Sequence, residues 1–107
     1  SYSLTLFDDT WHQGVIGILA SRLKDKFHRP TIVFARANNG EIKGSGRSIS
    51  KLHLRDALDL VSKHHPTLIL KFGGHAAAAG LSILEQDFVK FVEAFDAVCE
   101  KSLNSND

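Results

Sequence analysis

Apolar and polar positions change period several times along the chain, and each change marks an element. Tyr2 to Phe7 alternates polar and apolar residues, the pattern of a half-buried strand. From Gly14 to Phe27, Val15, Ile16, Leu19, Leu23 and Phe27 fall at helical spacing. Pro30 forbids continuation, because proline lacks the N–H and its ring clashes with the preceding turn. Thr31 to Ala37 holds the run Thr-Ile-Val-Phe, rich in β-branched and aromatic residues, and predicts a buried strand. Asn39-Gly40 is a hairpin signal, since a tight turn needs positive φ there, so Glu41 to Gly46 is predicted to return antiparallel.

Leu54, Ala57, Leu58 and Val61 predict a second helix that stops before Pro66. Thr67 to Phe72 fits a short strand and a helical turn equally, whereas Ala78 to Leu84 reads as a strand. The last helix is predicted from about Asp87 to Leu103, with Phe88, Phe91, Val92, Phe95 and Val98 on one core-facing stripe. The order of elements predicts an α/β domain, a mixed sheet of about five strands flanked by helices, over residues 1–103. Residues 104–107 are expected to form a disordered tail.

Composition narrows the picture. The 107 residues suffice for one hydrophobic core, and no apolar run approaches the roughly 18 residues of a membrane span. Cys99 is the single cysteine, which rules out a disulfide within the chain and fits a reducing compartment. There is no methionine, even at position 1, so the chain is expected to be a fragment of a larger protein. The net charge of +1 conceals an asymmetry. Eleven Lys and Arg lie between Arg22 and Lys71 against four acids, and two bases against eight acids lie outside that window. A basic face for a polyanion would produce this pattern, and so would solvated helix faces carrying Lys24, Lys26 and Lys63.

Three glycine-bearing segments carry the candidate chemistry. Phe72-Gly73-Gly74-His75 runs into four alanines, Gly80 and Leu81. The glycines allow close approach to the main chain, and His75 can donate to an anion or move a proton near neutral pH. Taken alone, the segment reads equally as a tight turn entering a crowded strand or as a floor for a phosphate or a base. Lys43-Gly44-Ser45-Gly46-Arg47-Ser48 leaves the predicted hairpin strand with two hydroxyls and a guanidinium fork that matches phosphate oxygens. Trp11-His12-Gln13-Gly14 stands where the first helix is predicted to begin, and helix N-termini favour anions. Together the three point to a phosphate or nucleotide site.

The runs Trp11 to Ile18, Gly44 to Ser48, and Phe72 to Leu81 resemble the DHH-associated domain of the DHH phosphoesterase superfamily. Within it they are most similar to the RecJ family of single-stranded-DNA-specific 5′→3′ exonucleases, over roughly residues 4 to 100. The resemblance implies a cytoplasmic bacterial hydrolase of DNA repair and recombination, whose separate N-terminal lobe binds two Mn²⁺ or Mg²⁺ ions. The present lobe would bind single-stranded DNA. Ser45, Gly46, Arg47 and Ser48 would hold the 5′-phosphate, and Gly73, Gly74 and His75 would approach the scissile phosphate. His75 would stabilise charge on the phosphoryl oxygens, with Trp11 and His12 as supports.

No Asp-His-His motif is present, and Lys63-His64-His65 has lysine where a metal-binding carboxylate would stand. His12, His28, His53, His64, His65 and His75 show no ligand spacing with acids or cysteine, so no metal is expected here and the isolated chain should cleave nothing. Three other readings stay open: a lobe of a small-molecule or short-RNA phosphodiesterase, a non-catalytic nucleic-acid-binding module, and an α/β interaction domain whose glycines are structural.

Overall fold

The computed structural model of the chain describes residues 1–104. Its strands are β1 (Leu4–Phe7), β2 (Thr31–Arg36), β3 (Glu41–Arg47), β4 (Lys71–Gly74) and β5 (Ala78–Leu84). Its α-helices are α1 (Ile16–Phe27), α2 (Leu54–His64) and α3 (Phe88–Asn104). The strands form one sheet in the order β1-β2-β3-β5-β4. Only the β1–β2 pair is parallel; β2–β3, β3–β5 and β4–β5 are antiparallel. The expected mixed five-stranded α/β domain is therefore observed.

Alternation along β2 divides the core. Val33 and Ala35 pack with Ile16 and Ala20 of α1 on one face. Ile32 and Phe34 join Ile42, Leu81, Ile83 and the buried faces of α2 and α3 on the other. On this second face the α3 aromatics interlock with the sheet. Phe34 meets Phe91 edge-on at 5.6 Å, and Phe91 stacks on Phe95 at 5.7 Å. Each fully buried ring contributes about 1.5–3 kcal/mol through burial alone. The aromatic stripe of the last helix is core, as its spacing predicts.

Turns and caps follow the expected chemistry. Asn39 (φ 59°) and Gly40 (φ 74°) both take positive φ, and Glu41 N donates to Asn38 O at 3.0 Å, which closes the tight hairpin between β2 and β3. His28 ends α1 in the left-handed region, its N–H donating to Lys24 O at 2.8 Å.

Boundaries shift where side chains compete for backbone groups. β1 starts at Leu4 rather than Tyr2, because the N–H groups of Tyr2 and Ser3 both donate to Asp96 Oδ1 of α3 at 2.9 Å. The ambiguous stretch after Pro66 contains no helix. It turns through Leu68, whose N–H donates to His65 O at 3.0 Å, and becomes β4 at Lys71. Asn104 belongs to α3, and its amide donates to Tyr2 Oη at 3.0 Å. The remainder of the predicted tail, 105–107, lies outside the described residues.

Candidate functional site

Helix α1 covers only part of its face of the sheet. Its buried contacts lie on β2, and its first turn reaches β3, where a Cβ added at Gly17 would stand 2.9 Å from Arg47 Nη2 and 3.8 Å from Ser45 Oγ. Beyond α1 the same sheet face continues over β3, β5 and β4 without a covering helix. Register and the period of two place its residues in rows. Lys43 pairs with Ser82, which pairs with Lys71; Ser45 pairs with Gly80, which pairs with Gly73; Arg47 pairs with Ala78. A shallow trough of about 280 Å³ lies here, lined by Lys43, Lys71, Phe72, Gly73, Gly80, Leu81 and Ser82.

Arg47 is half-buried, and its Nη1 donates to Gly46 O at 2.7 Å. Among the described residues it has no carboxylate partner, unlike Arg36, which is bound to Glu85 at 3.0 Å. Its guanidinium lies against the first turn of α1, the positive end of that helix dipole. Two positive features facing each other are unfavourable until an anion neutralises them. Ser45 stands beside this pair, on the same row as the glycine floor.

The two glycines of the β4 terminus have different surroundings. A Cβ on Gly73 would meet nothing within 4 Å, so Gly73 faces the open side. Gly74 has φ +143°, and a Cβ there would come within 2.5 Å of Ala78 O and Ala79 Cα. His75 follows at the hairpin tip, exposed, with its N–H donating to Ala78 O at 2.8 Å. Its carbonyl accepts from Arg55 N at 3.3 Å, and Ala77 O accepts from Ser48 N at 2.9 Å. The hairpin is thereby tied to the start of α2, which holds His75 at the same end of the sheet as Arg47.

Other residues of the expected site turn elsewhere. Gly46 faces the core: a Cβ there would press on Leu54 Cδ2 at 2.9 Å and Ile32 Cγ1 at 3.3 Å. Ser48 is buried, and its hydroxyl donates to Leu52 O at 2.7 Å, so it closes the turn before α2 instead of facing the trough. Gly74 likewise serves the backbone crossing. Of the four residues expected to hold a phosphate, Ser45 and Arg47 share the face of the trough, while alternation turns Gly46 to the core and Ser48 closes the turn that follows β3. Trp11 packs against the α1–β2 cluster and is a support of the helix.

The loop before α1 is held by Asp8, whose carboxylate accepts from Thr10 Oγ1 at 2.6 Å and Thr10 N at 2.9 Å. The Thr10 hydroxyl, then its N–H, hold the Asp8 carboxyl below the usual carboxylate range. His12 in this loop is exposed, and α1 begins only at Ile16, after a turn in which Val15 N donates to His12 O at 3.1 Å. Gln13 Nε2 reaches Arg36 O at 3.5 Å, at the end of the β2–β3 pair opposite Thr31 and Arg47. The loop therefore does not join the hairpin tip. Sequence reasoning did not single out Lys71, Ser82 or Gly17. Lys71 shares a face with Gly73 and Ser82 with Gly80, a signal that becomes readable once β4 is known to pair with β5.

Among the described residues no group of three or more His, Cys, Asp or Glu side chains could hold a metal ion. The donor set of the described residues does not fit Mn²⁺ or Mg²⁺, and none of the described helices is long and apolar enough to cross a membrane.

Comparisons with known proteins agree with this fold. The DHHA1 domain family matches residues 2–101. The single-stranded-DNA-specific exonuclease RecJ of Haemophilus influenzae is 55% identical over 95 residues, which are 89% of this chain and 16% of that protein. A crystal structure of RecJ in complex with Mg²⁺ from Thermus thermophilus superposes with a TM-score of 0.81 at 32% identity, over 94% of this chain and 15% of the other. The C-Ala domain of Aquifex aeolicus alanyl-tRNA synthetase shares the fold, with a TM-score of 0.67 at 17% identity, over 92% of this chain and 87% of that domain. The chain thus spans about one-sixth of the length of the RecJ relative it matches (16%). With residues 2–101 matched and the same sheet and helices in place, the chain belongs to the DHHA1 domain family.

Proposed function

We propose that the uncovered sheet face binds the 5′-terminal phosphate and first nucleotides of single-stranded DNA. In this reading the chain is the substrate-binding lobe of a single-stranded-DNA-specific 5′→3′ exonuclease. The observation that carries it is Arg47, a half-buried cation without a carboxylate partner among the described residues, lying against the first turn of α1 with Ser45 beside it. A terminal phosphate between these groups offsets the repulsion and accepts charge-assisted hydrogen bonds. The floor of Gly73 and Gly80 lets a sugar and base approach the sheet without a side chain intervening. His75, exposed at the hairpin tip, donates to phosphoryl oxygens as they gain charge.

The similarity to RecJ proteins supports DNA as the polymer and hydrolysis as the reaction of the longer protein. Mn²⁺ or Mg²⁺ belongs in this reading to a separate lobe, so the chain alone binds without cleaving. Two arms test the grip: a 5′-phosphorylated and an unphosphorylated deoxyoligonucleotide, titrated at low salt where phosphate contacts are strongest. Wild type is expected to prefer the phosphorylated strand. Arg47→Ala should abolish that preference, weakening it by about 1–3 kcal/mol, the range for contacts to charged groups. Equal binding of both strands by wild type, or a preference that survives Arg47→Ala, refutes the grip.

A further inference from the structure

Lys43, Ser82 and Lys71 form a row that the 5′-phosphate grip does not use. Ser82 is the register partner of both lysines, on the middle strand of the three. Adjacent strands lie about 4.8 Å apart, so the lysine backbones stand roughly 10 Å from each other with the serine between them. Ser82 is only 5% exposed and lines the trough, and its hydroxyl has no hydrogen-bond partner among the described residues. That hydroxyl is a free donor for whatever occupies the trough. Both lysines are exposed, and neither is ion-paired among the described residues. Lysine on an edge strand can serve to block pairing with other sheets, which would account for Lys71 on β4. It does not account for Lys43, which stands on β3 between β2 and β5.

We propose that Lys43, Ser82 and Lys71 constitute a second phosphate subsite, which receives an internal phosphodiester of the strand whose 5′-phosphate is held at Arg47 and Ser45. The inference rests on the proposed function above and extends it from a terminal group to an oligonucleotide. Along β3, Lys43 stands two residues from Ser45 and four from Arg47, about 7 and 13 Å. A lone nucleotide held by its 5′-phosphate has no second phosphate to offer the lysines, whereas the next phosphodiester of a longer strand does. The Ser45–Gly80–Gly73 row lies between the Arg47 row and the lysine row and carries no large side chain toward solvent, so sugars and bases cross it unobstructed. The subsite thus selects for strand length, and the Arg47 grip for the 5′ end.

NMR chemical-shift titration suits a chain of this size and reads weak affinities. The probes are thymidine 5′-monophosphate and a 5′-phosphorylated octathymidylate, against wild type, Arg47→Ala, and the double variant Lys43→Gln/Lys71→Gln. Both lysines are exposed, so the double variant is expected to keep the wild-type spectrum away from the trough. It should lower octathymidylate affinity about tenfold more than monophosphate affinity, and lessen the salt slope for the octamer by about 0.7, the single-strand value for the one phosphate it no longer neutralises. Ser82→Ala should lower octamer affinity in the same direction without changing the salt slope. Equal losses for both probes in the double variant, or no loss for the octamer, overturn the subsite while leaving the Arg47 grip intact. Wild type that binds neither probe overturns the nucleic-acid reading itself, and the subsite with it.

Discussion

Gly73 and Gly74 are neighbours in sequence and are expected to respond oppositely to the same substitution. At Gly73 an added methyl meets nothing within 4 Å. Replacing a strand glycine by alanine restricts the unfolded chain and raises stability by about 0.4–1 kcal/mol. At Gly74 the methyl would come within 2.5 Å of Ala78 O and Ala79 Cα, which are backbone atoms fixed by the β4–β5 ladder. The φ of +143° adds strain of about 1–3 kcal/mol, and the overlap about 1–3 kcal/mol more. A loss of roughly 2–6 kcal/mol is a large part of the 5–15 kcal/mol typical of a domain. In thermal denaturation followed by circular dichroism, 1 kcal/mol moves Tm by about 4–8 °C at this size. Gly73→Ala should therefore raise Tm by a few degrees, and Gly74→Ala should lower it by roughly 10 °C or more. Oligonucleotide binding, measured well below both transitions, should fall in Gly73→Ala because its methyl stands on the floor of the trough. Equal stability of the two variants refutes the assignment of faces, and undiminished binding by Gly73→Ala refutes the floor.

Asp96 accepts from Tyr2 N, Ser3 N and Ser3 Oγ at 2.9, 2.9 and 2.7 Å, so Asp96→Ala should cost about 2–4 kcal/mol in denaturant unfolding, with Asp96→Asn retaining part of it. Cys99 is buried beside Asp96, and burial first, then the Asp96 charge, push its thiol up to about 12 against a weaker opposing hydrogen bond from Ser3. Its folded value lies above its unfolded value, so the contribution of the neutral thiol is complete below about pH 9 and is lost as pH rises towards 12. Wild type should lose stability between pH 9 and 11 more steeply than Cys99→Ala in parallel urea titrations, and parallel curves would contradict the burial. In the exonuclease proposed for the longer protein, a His75 that acts as proposed on charge developing in the transition state makes His75→Ala lower kcat more than it raises KM; equal loss in both parameters would make it a binding residue.

The fold was legible wherever one periodicity ran long enough to exclude the other. The helical stripe from Phe88 to Val98 and the Asn39-Gly40 turn each admit one structure, because a wrong face would expose several aromatics and a wrong turn would demand positive φ from a side chain that resists it. Boundaries were less legible, for a reason outside any local window. Asp96 lies 93 positions from Ser3, and its capture of two N–H groups is what delays β1 to Leu4. The stretch after Pro66 is brief, and only its pairing with β5 makes Lys71 to Gly74 a strand.

At the site, residue chemistry was legible and the direction of each side chain was not. Ser-Gly-Arg-Ser reads as a phosphate-binding phrase, yet on a strand its members cannot act together. Ser45 and Arg47 face outward while Gly46 and Ser48 face the core, where Leu54 packs on one and Leu52 O accepts from the other. The same alternation brings Lys71 and Ser82, which no motif nominates, onto one face with residues that the motifs do name. Lys71 and Gly73 share a face, Gly80 and Ser82 share it on the next strand, and Lys43 and Ser45 on the one after. The proposed binding surface, spread over three strands, is periodic in two dimensions, while a motif is periodic in one. Glycines at 73 and 80 then matter because they stand side by side between two cationic rows, which only the pairing of β4 with β5 creates.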